Sequence, residues 1–405
     1  MKNTILFKSL AITLAIGLVH APALRADESD YSPLCYDEDE AKEQRSLLRP
    51  YLEPSHIPTS EYLASCKGES SVPYTGDETP EQLKAMSAKF QANHDKIVAA
   101  LPEKLSVPVA RKRKILVLTF RTGLSYHAPG SAGFLILLRE AAKKYGAFEL
   151  TERYKLDGID AKVLSEFDAV VMNNNHATMR SGKYGYKGWH NAPKTPEYQA
   201  FVQKRHAADE KACNPFYDEL LPAYVKNGGG VIGLHATLLR EMKRPENVDG
   251  YGIMFGGMID SNCHPWKDGK IAGPGTYGPI PIKILEPNNP ITFPFRDVPT
   301  IPVTELFSFF LPKESMDSSR TLIRYDYDKK PDINYNQKSL EQCKDFAGSL
   351  IWIKSYGKGR VFYNAMGHDE EIYTVPCVAQ ADLDGLLYAT GDLKVPDAPA
   401  TAAGK

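Results

Sequence analysis

The chain has 405 residues, of which 42% are hydrophobic and 24% charged, with a formal net charge of −1. That balance excludes a disordered or fibrous chain, and a charge so near zero offers no basic stripe for nucleic acid. It fits one large folded domain with an appendage, or two domains.

Lys2 and Lys8 bracket a short basic start, residues 9–19 form an apolar run, and small residues follow at Ala21, Ala23 and Ala26. This is the layout of a secretory signal peptide over residues 1–26, with cleavage after Ala23 or Ala26. The alternative is a membrane anchor, but the run falls short of the about 20 residues that a spanning helix needs. The expectation is a periplasmic or secreted protein with no stable membrane insertion. Removing residues 1–26 takes Lys2, Lys8 and Arg25 and no acid, which moves the formal charge from −1 to −4.

Cys35, Cys66, Cys213, Cys263, Cys343 and Cys377 all lie beyond that segment. An even count in an exported chain permits disulfides. Cys35 with Cys66 is the favoured pairing, because both fall in the N-terminal extension; free buried thiols are the alternative. No C-x-x-C is present, which argues against a redox or zinc-ribbon site.

Residues 27–112 read as an extension. Residues 37–52 are charged and helical in pattern, and a Pro/Ser/Gly-rich stretch runs to residue 77. Thr79, Pro80 and Gln82 then make a helix start: Thr79 caps, Pro80 suits the first turn, and Gln82 closes a capping box. Leu83, Met86, Phe90, Ile97 and Leu101 recur at helical spacing, which predicts one apolar stripe packed on the main domain.

The main domain is expected over 113–394, with a Pro/Ala-rich disordered tail at 395–405. Residues 114–120 (KILVLTF) and 167–172 (FDAVVM) are nearly continuous apolar runs, as in central strands buried on both faces. Further strands are predicted at 148–153 and 230–234, and helices at 134–145 and 216–226. The alternation implies right-handed βαβ units and an α/β fold: a doubly wound, mostly parallel sheet with helices on both faces. Residues 279–285, 321–327, 349–354 and 361–365 read as β-rich C-terminal additions, with a hairpin turn at 356–360 (YGKGR). A last helix is expected at 382–388.

The strongest local signal is residues 227–237, NGGGVIGLHAT. Small residues stand two before and two after His235, the steric pattern of a nucleophile elbow. Such a turn lifts one side chain above the C-terminal edge of the sheet, where ligands bind in open α/β folds. Histidine is a poor acyl nucleophile there and a better general base or metal ligand; the alternative is a core histidine satisfied by a carbonyl. Gly273 to Gly278 matches G-x-G-x-x-G but is followed by Pro279 and Pro281 and a strand, so no helix N-terminus meets a pyrophosphate.

Several segments together resemble the ThuA-like family, related to class I glutamine amidotransferases. They are GGGVIGLHAT; Cys263-His264-Pro265 after Gly256-Gly257; residues 356–363 followed by Gly367-His368; and Gly123-Leu124-Ser125-Tyr126-His127. Pro290-Ile291-Thr292 and Thr304-Glu305-Leu306 also fit. The resemblance implies a flavodoxin-like fold without glutaminase chemistry, since His235 stands where those enzymes carry their cysteine. It also implies a role in bacterial use of sugars such as trehalose and 3-keto sugars, as a hydrolase, lyase or isomerase. Ala128 follows His127 where the family often has Asp, so a carboxylate that could assist that histidine is missing.

His127, His235, His264 and His368 all fall on loops at strand ends. Three or four neutral imidazoles meeting there suit a divalent, zinc-like transition metal; the alternative is that some bind a sugar hydroxyl or cap a loop. His235, Glu305 and Asp369 are the candidate catalytic groups, and Tyr126, His176 and Trp266 the candidate substrate contacts. The expected partner is a small sugar or glycoside. A non-catalytic carbohydrate-binding or scaffold protein is the rival reading, and a hydrolase using Cys263 a weaker one.

Overall fold

Along the central strands, successive side chains point to opposite faces, and the chain uses both. Ile115 and Val117 enter one core while Leu116 and Leu118 enter the other; Val171 and Val170, then Ile232 and Val231, divide the same way. This is why these runs are continuously apolar. The computed structural model describes residues 42, 45, 48–53, 79–120, 127–175, 196, 212–241, 250–263, 266–267, 270–271, 279–303, 305–310, 315, 318–329 and 346–396.

The strands are β1 (Arg113–Leu118), β2 (Phe148–Arg153), β3 (Ala169–Met172), β4 (Gly230–Leu234), β5 (Met258–Cys263), β6 (Trp266–Lys267) and β7 (Lys270–Ile271). They continue with β8 (Pro279–Ile284), β9 (Thr300–Pro302), β10 (Leu306–Phe310), β11 (Ser319–Tyr325), β12 (Ser349–Tyr356) and β13 (Gly359–Asn364). Nine form one sheet in the order β2-β1-β3-β4-β13-β12-β11-β8-β9. The pairs from β2 to β13 are parallel, and those from β13 to β9 antiparallel. The β-rich additions therefore extend the same sheet. The hairpin expected at 356–360 joins β12 to β13, with Tyr356 opposite Gly359. β5 and β10 pair antiparallel as a separate ribbon; no periodicity in the sequence announces it.

Helices α1 (Pro80–Ala100), α2 (Ala128–Tyr145) and α6 (Pro376–Ala389) pack on one face. A π-helical turn (Pro215–Leu220), α4 (Leu221–Lys226) and α5 (Gly250–Phe255) cover the other, while α3 (Ala161–Leu164) is a single short turn between β2 and β3. The α1 start has the expected capping box: the Thr79 N–H donates to Gln82 Oε1 at 2.7 Å and the Gln82 N–H to Thr79 Oγ1 at 3.3 Å. Phe90 and Ile97 are buried in the core it shares with α2 and α6. Two helices begin earlier than the apolar pattern indicates, α2 at Ala128 and α6 at Pro376, because a proline in the first turn of each needs no N–H partner. Among the described residues, no helix is long and apolar enough to cross a membrane.

Candidate functional site

β4 ends in a turn that few sequences tolerate. His235 has φ 40° and Asn174, at the end of the neighbouring β3, has φ 56°; they are the only non-glycine residues with positive φ among those described. Such conformations persist only when the surroundings over-determine them. Here they do. Gly233 leaves no room for a side chain, since a Cβ would stand 2.5 Å from Phe255 Cε1 and 2.8 Å from Tyr363 Cδ2. Thr237 Oγ1 donates to the Met172 carbonyl at 2.7 Å and accepts the Leu234 N–H at 3.2 Å. The Tyr363 hydroxyl donates to the His235 carbonyl. Asn174 accepts the Ala236 N–H and donates to the Gly367 carbonyl, both at 3.1 Å. A 3₁₀ turn, His235–Glu241, follows where an elbow usually opens an α-helix.

Four ionisable side chains meet above this edge. His127 precedes α2, His368 follows β13 and Gly367, and Glu305 immediately precedes β10. Glu305 Oε2 lies 2.9 Å from His235 Nε2, 3.2 Å from His127 Nε2 and 3.8 Å from His368 Nε2. The three imidazole centroids are 4.9 to 5.6 Å apart. Phe307 on β10 packs its ring 4.6 Å from that of His235. His235 is fully buried, and His127 and Glu305 nearly so.

The second ring nitrogens decide what the first can do. His235 Nδ1 lies 2.6 Å from the Ala365 carbonyl. A carbonyl only accepts, so Nδ1 carries the hydrogen and Nε2 of the neutral ring presents a lone pair. That lone pair faces a carboxylate oxygen, acceptor against acceptor, unless a proton or a cation is shared between them. His368 repeats the arrangement, with Nδ1 3.1 Å from Asp369 Oδ1 and Nε2 turned to Glu305. Burial alone would raise the Glu305 carboxyl, but the His127 and His235 imidazoles against it outweigh that and hold the group well below the usual carboxylate range. Burial pushes His127 down to about 4. It also lowers His368, but the Asp369 hydrogen bond and the charges of Glu305 and Asp369 prevail and hold that imidazole above its ordinary value.

The donor set suits a metal. His127, Glu305 and His368 offer ligand atoms within 4.8 Å of one another, and His235 joins through the same Glu305 oxygen. Tetrahedral bonds of about 2.1 Å place ligand atoms roughly 3.4 Å apart, in the range of the contacts to Glu305. A metal-bound histidine almost always donates its other N–H to a carbonyl or carboxylate, as His235 and His368 do here.

Of the residues singled out by sequence, His127, His235, His368, Glu305 and Asp369 are brought together. Asp369 contacts His368 rather than the central point. Trp266 lies on β6. Tyr126, His176 and His264 lie outside the described residues, as do Cys35 and Cys66. Cys213 is disulfide-bonded, and Cys377 is a free buried thiol pushed up to about 11 by burial. Sequence reasoning missed Asn174; the signal was present, since asparagine is among the few residues that accept positive φ, and it stands in a run of three at a strand end.

The family model for ThuA, trehalose utilisation, matches residues 114–389, which contain the whole cluster. The chain belongs to the ThuA family. Two ThuA-like proteins of known structure are similar to it. One, from Bacteroides uniformis, is 16% identical with a TM-score of 0.44, covering 71% of this chain and 95% of its own. The other, from Parabacteroides merdae, is 15% identical with a TM-score of 0.34, covering 71% and 94%. A β-galactosidase from Rahnella sp. R3 is 13% identical with a TM-score of 0.33, over 75% of this chain and 34% of its own. No curated protein matches the sequence.

Proposed function

We propose that this ThuA-family chain is an exported carbohydrate-active enzyme: a metal-assisted hydrolase, lyase or isomerase of a keto-sugar or glycoside. The observation that carries it is the 2.9 Å contact between the His235 Nε2 lone pair and Glu305 Oε2, with Nδ1 committed to the Ala365 carbonyl. A shared cation resolves that contact, and His127 and His368 supply the further donors. When bound, a divalent zinc-like metal supplies Lewis-acid polarisation of a sugar carbonyl or hydroxyl oxygen.

The chain's own groups do the rest. The Ala365 carbonyl and Asp369 fix the orientation of His235 and His368, and the Glu305 charge balances a cation in a buried setting. Phe307 keeps water from one face of His235. Asp369 has a side chain 31% exposed, against 7% for Glu305, so it is the carboxylate placed to exchange a proton with a substrate. The carbohydrate class rests on the family's trehalose-utilisation description. Export rests on the layout of residues 1–26 and on the disulfide at Cys213, a bond that persists in oxidising compartments.

The test is elemental analysis of metal-replete protein, wild type and His235→Ala, alongside turnover of a panel of 3-keto glycosides. Near-stoichiometric metal and turnover in the wild type, both lost in the variant, are expected. No metal in either protein, or undiminished turnover by His235→Ala, sinks the mechanism. Sugar binding without turnover would favour the non-catalytic binding protein.

A further inference from the structure

Three asparagines follow β3, between β1, which leads toward His127, and β4, which ends at His235. The first two are committed. The Asn173 amide donates to Thr119 Oγ1 and to the Ser131 carbonyl, both at 3.0 Å. Asn174 ties residue 236, next to His235, to residue 367, next to His368. The third, Asn175, is fully buried, and neither its Oδ1 nor its Nδ2 has a partner among the described residues. Buried polar side chains are nearly always hydrogen-bonded, because an orphaned group bears its full desolvation penalty. A leucine of similar size would carry no such penalty. Asn175 stands one residue, about 3.8 Å of backbone, beyond the residue that locks the cluster's scaffold.

We propose that Asn175 is a substrate-positioning residue whose carboxamide pairs with adjacent hydroxyls of the sugar. This rests on the carbohydrate reading above and adds the group that recognises the ring. An amide offers two N–H donors and one carbonyl acceptor. A hydroxyl both donates and accepts, so a neighbouring pair, or a hydroxyl beside a keto group, satisfies the carbonyl and the N–H beside it together. A phosphate, with acceptors only, leaves the carbonyl unpaired, and an apolar ligand leaves all three unpaired.

Asn175→Leu and Asn175→Ala, compared with wild type, test it. Thermal unfolding without sugar, metal content, and calorimetric binding of trehalose, 3-keto-trehalose and methyl glucosides are measured. Asn175→Leu should melt at or above the wild-type temperature, keep its metal, and bind the best of these sugars at least about tenfold more weakly. Melting several degrees lower in both variants would show a structural role and overturn the assignment. Unchanged sugar affinity in the variants would overturn it while leaving the carbohydrate reading intact. A wild type that binds none of the probes removes the carbohydrate reading and this assignment with it.

Discussion

Glu305 and Asp382 are both buried carboxyls, one at the edge of the sheet and the other inside α6. Glu305 is met by three imidazoles and held ionised. Asp382 accepts a hydrogen bond from Asn364 Nδ2 at 2.7 Å, while its other oxygen has no partner among the described residues, and burial pushes it up to about 7. Asp384, two residues on and on the opposite side of α6, is pushed by burial to about 6 even though Ser106 and Gln380 donate to it. Burial alone drives a carboxyl toward its neutral form, and only enough donors or cations reverse the direction. The two regions show that difference within one domain: the sheet edge gathers three imidazoles around a single carboxylate oxygen, while the helix interior does not.

The sharpest way to break the comparison is to remove the Glu305 charge while keeping its shape. Glu305→Gln is expected to lose bound divalent metal and at least about 10³-fold in turnover, or roughly 4 kcal/mol, read by elemental analysis and kinetics. Full metal occupancy in that variant would mean that the histidines do not depend on the carboxylate.

Asp382 tests the other side. Its ordinary value is 3.8 and its folded value about 7. Between those limits the unfolded chain gives up a proton that the folded chain keeps, so stability falls as pH rises from about 4 to about 7 and stays lowered above. Asp382→Asn should abolish that contribution, raising stability at pH 8 by on the order of 4 kcal/mol and leaving pH 4 unchanged, in urea unfolding at both values. An identical pH slope in variant and wild type would refute the assignment of that cost to Asp382.

Ser106→Ala should have the smallest effect. Losing this donor raises Asp384 further above about 6, so stability should drop by about 1 kcal/mol above neutrality and hold at pH 4. A loss of equal size at both pH values would point to packing instead.

The parallel core could be read directly from the chain. The runs at 148–153 and 230–234 coincide with β2, a partly exposed edge strand, and β4, which is buried along its whole length. The elbow could be read as well, because Gly233 and Thr237 flank His235 in a recognisable small-residue spacing, although the side chains that demand Gly233, Phe255 and Tyr363, lie far along the chain. Glu305 could be reached only through family resemblance. It sits at the start of β10, whose partner β5 is distant in sequence and joined by hydrogen bonds that carry no periodic signature.

The sequence by itself therefore determined the sheet, the α1 cap and the position of His235, all of which follow from local spacing, propensity and backbone sterics. Only the tertiary structure decided that three histidines share one carboxylate oxygen and that Ala365 and Asp369 set the tautomers of two of them. It also decided that Asp382 is held toward its neutral form while Glu305 is ionised. Those outcomes depend on which groups meet across the fold, and a proton's preference is fixed by its neighbours in space rather than along the chain.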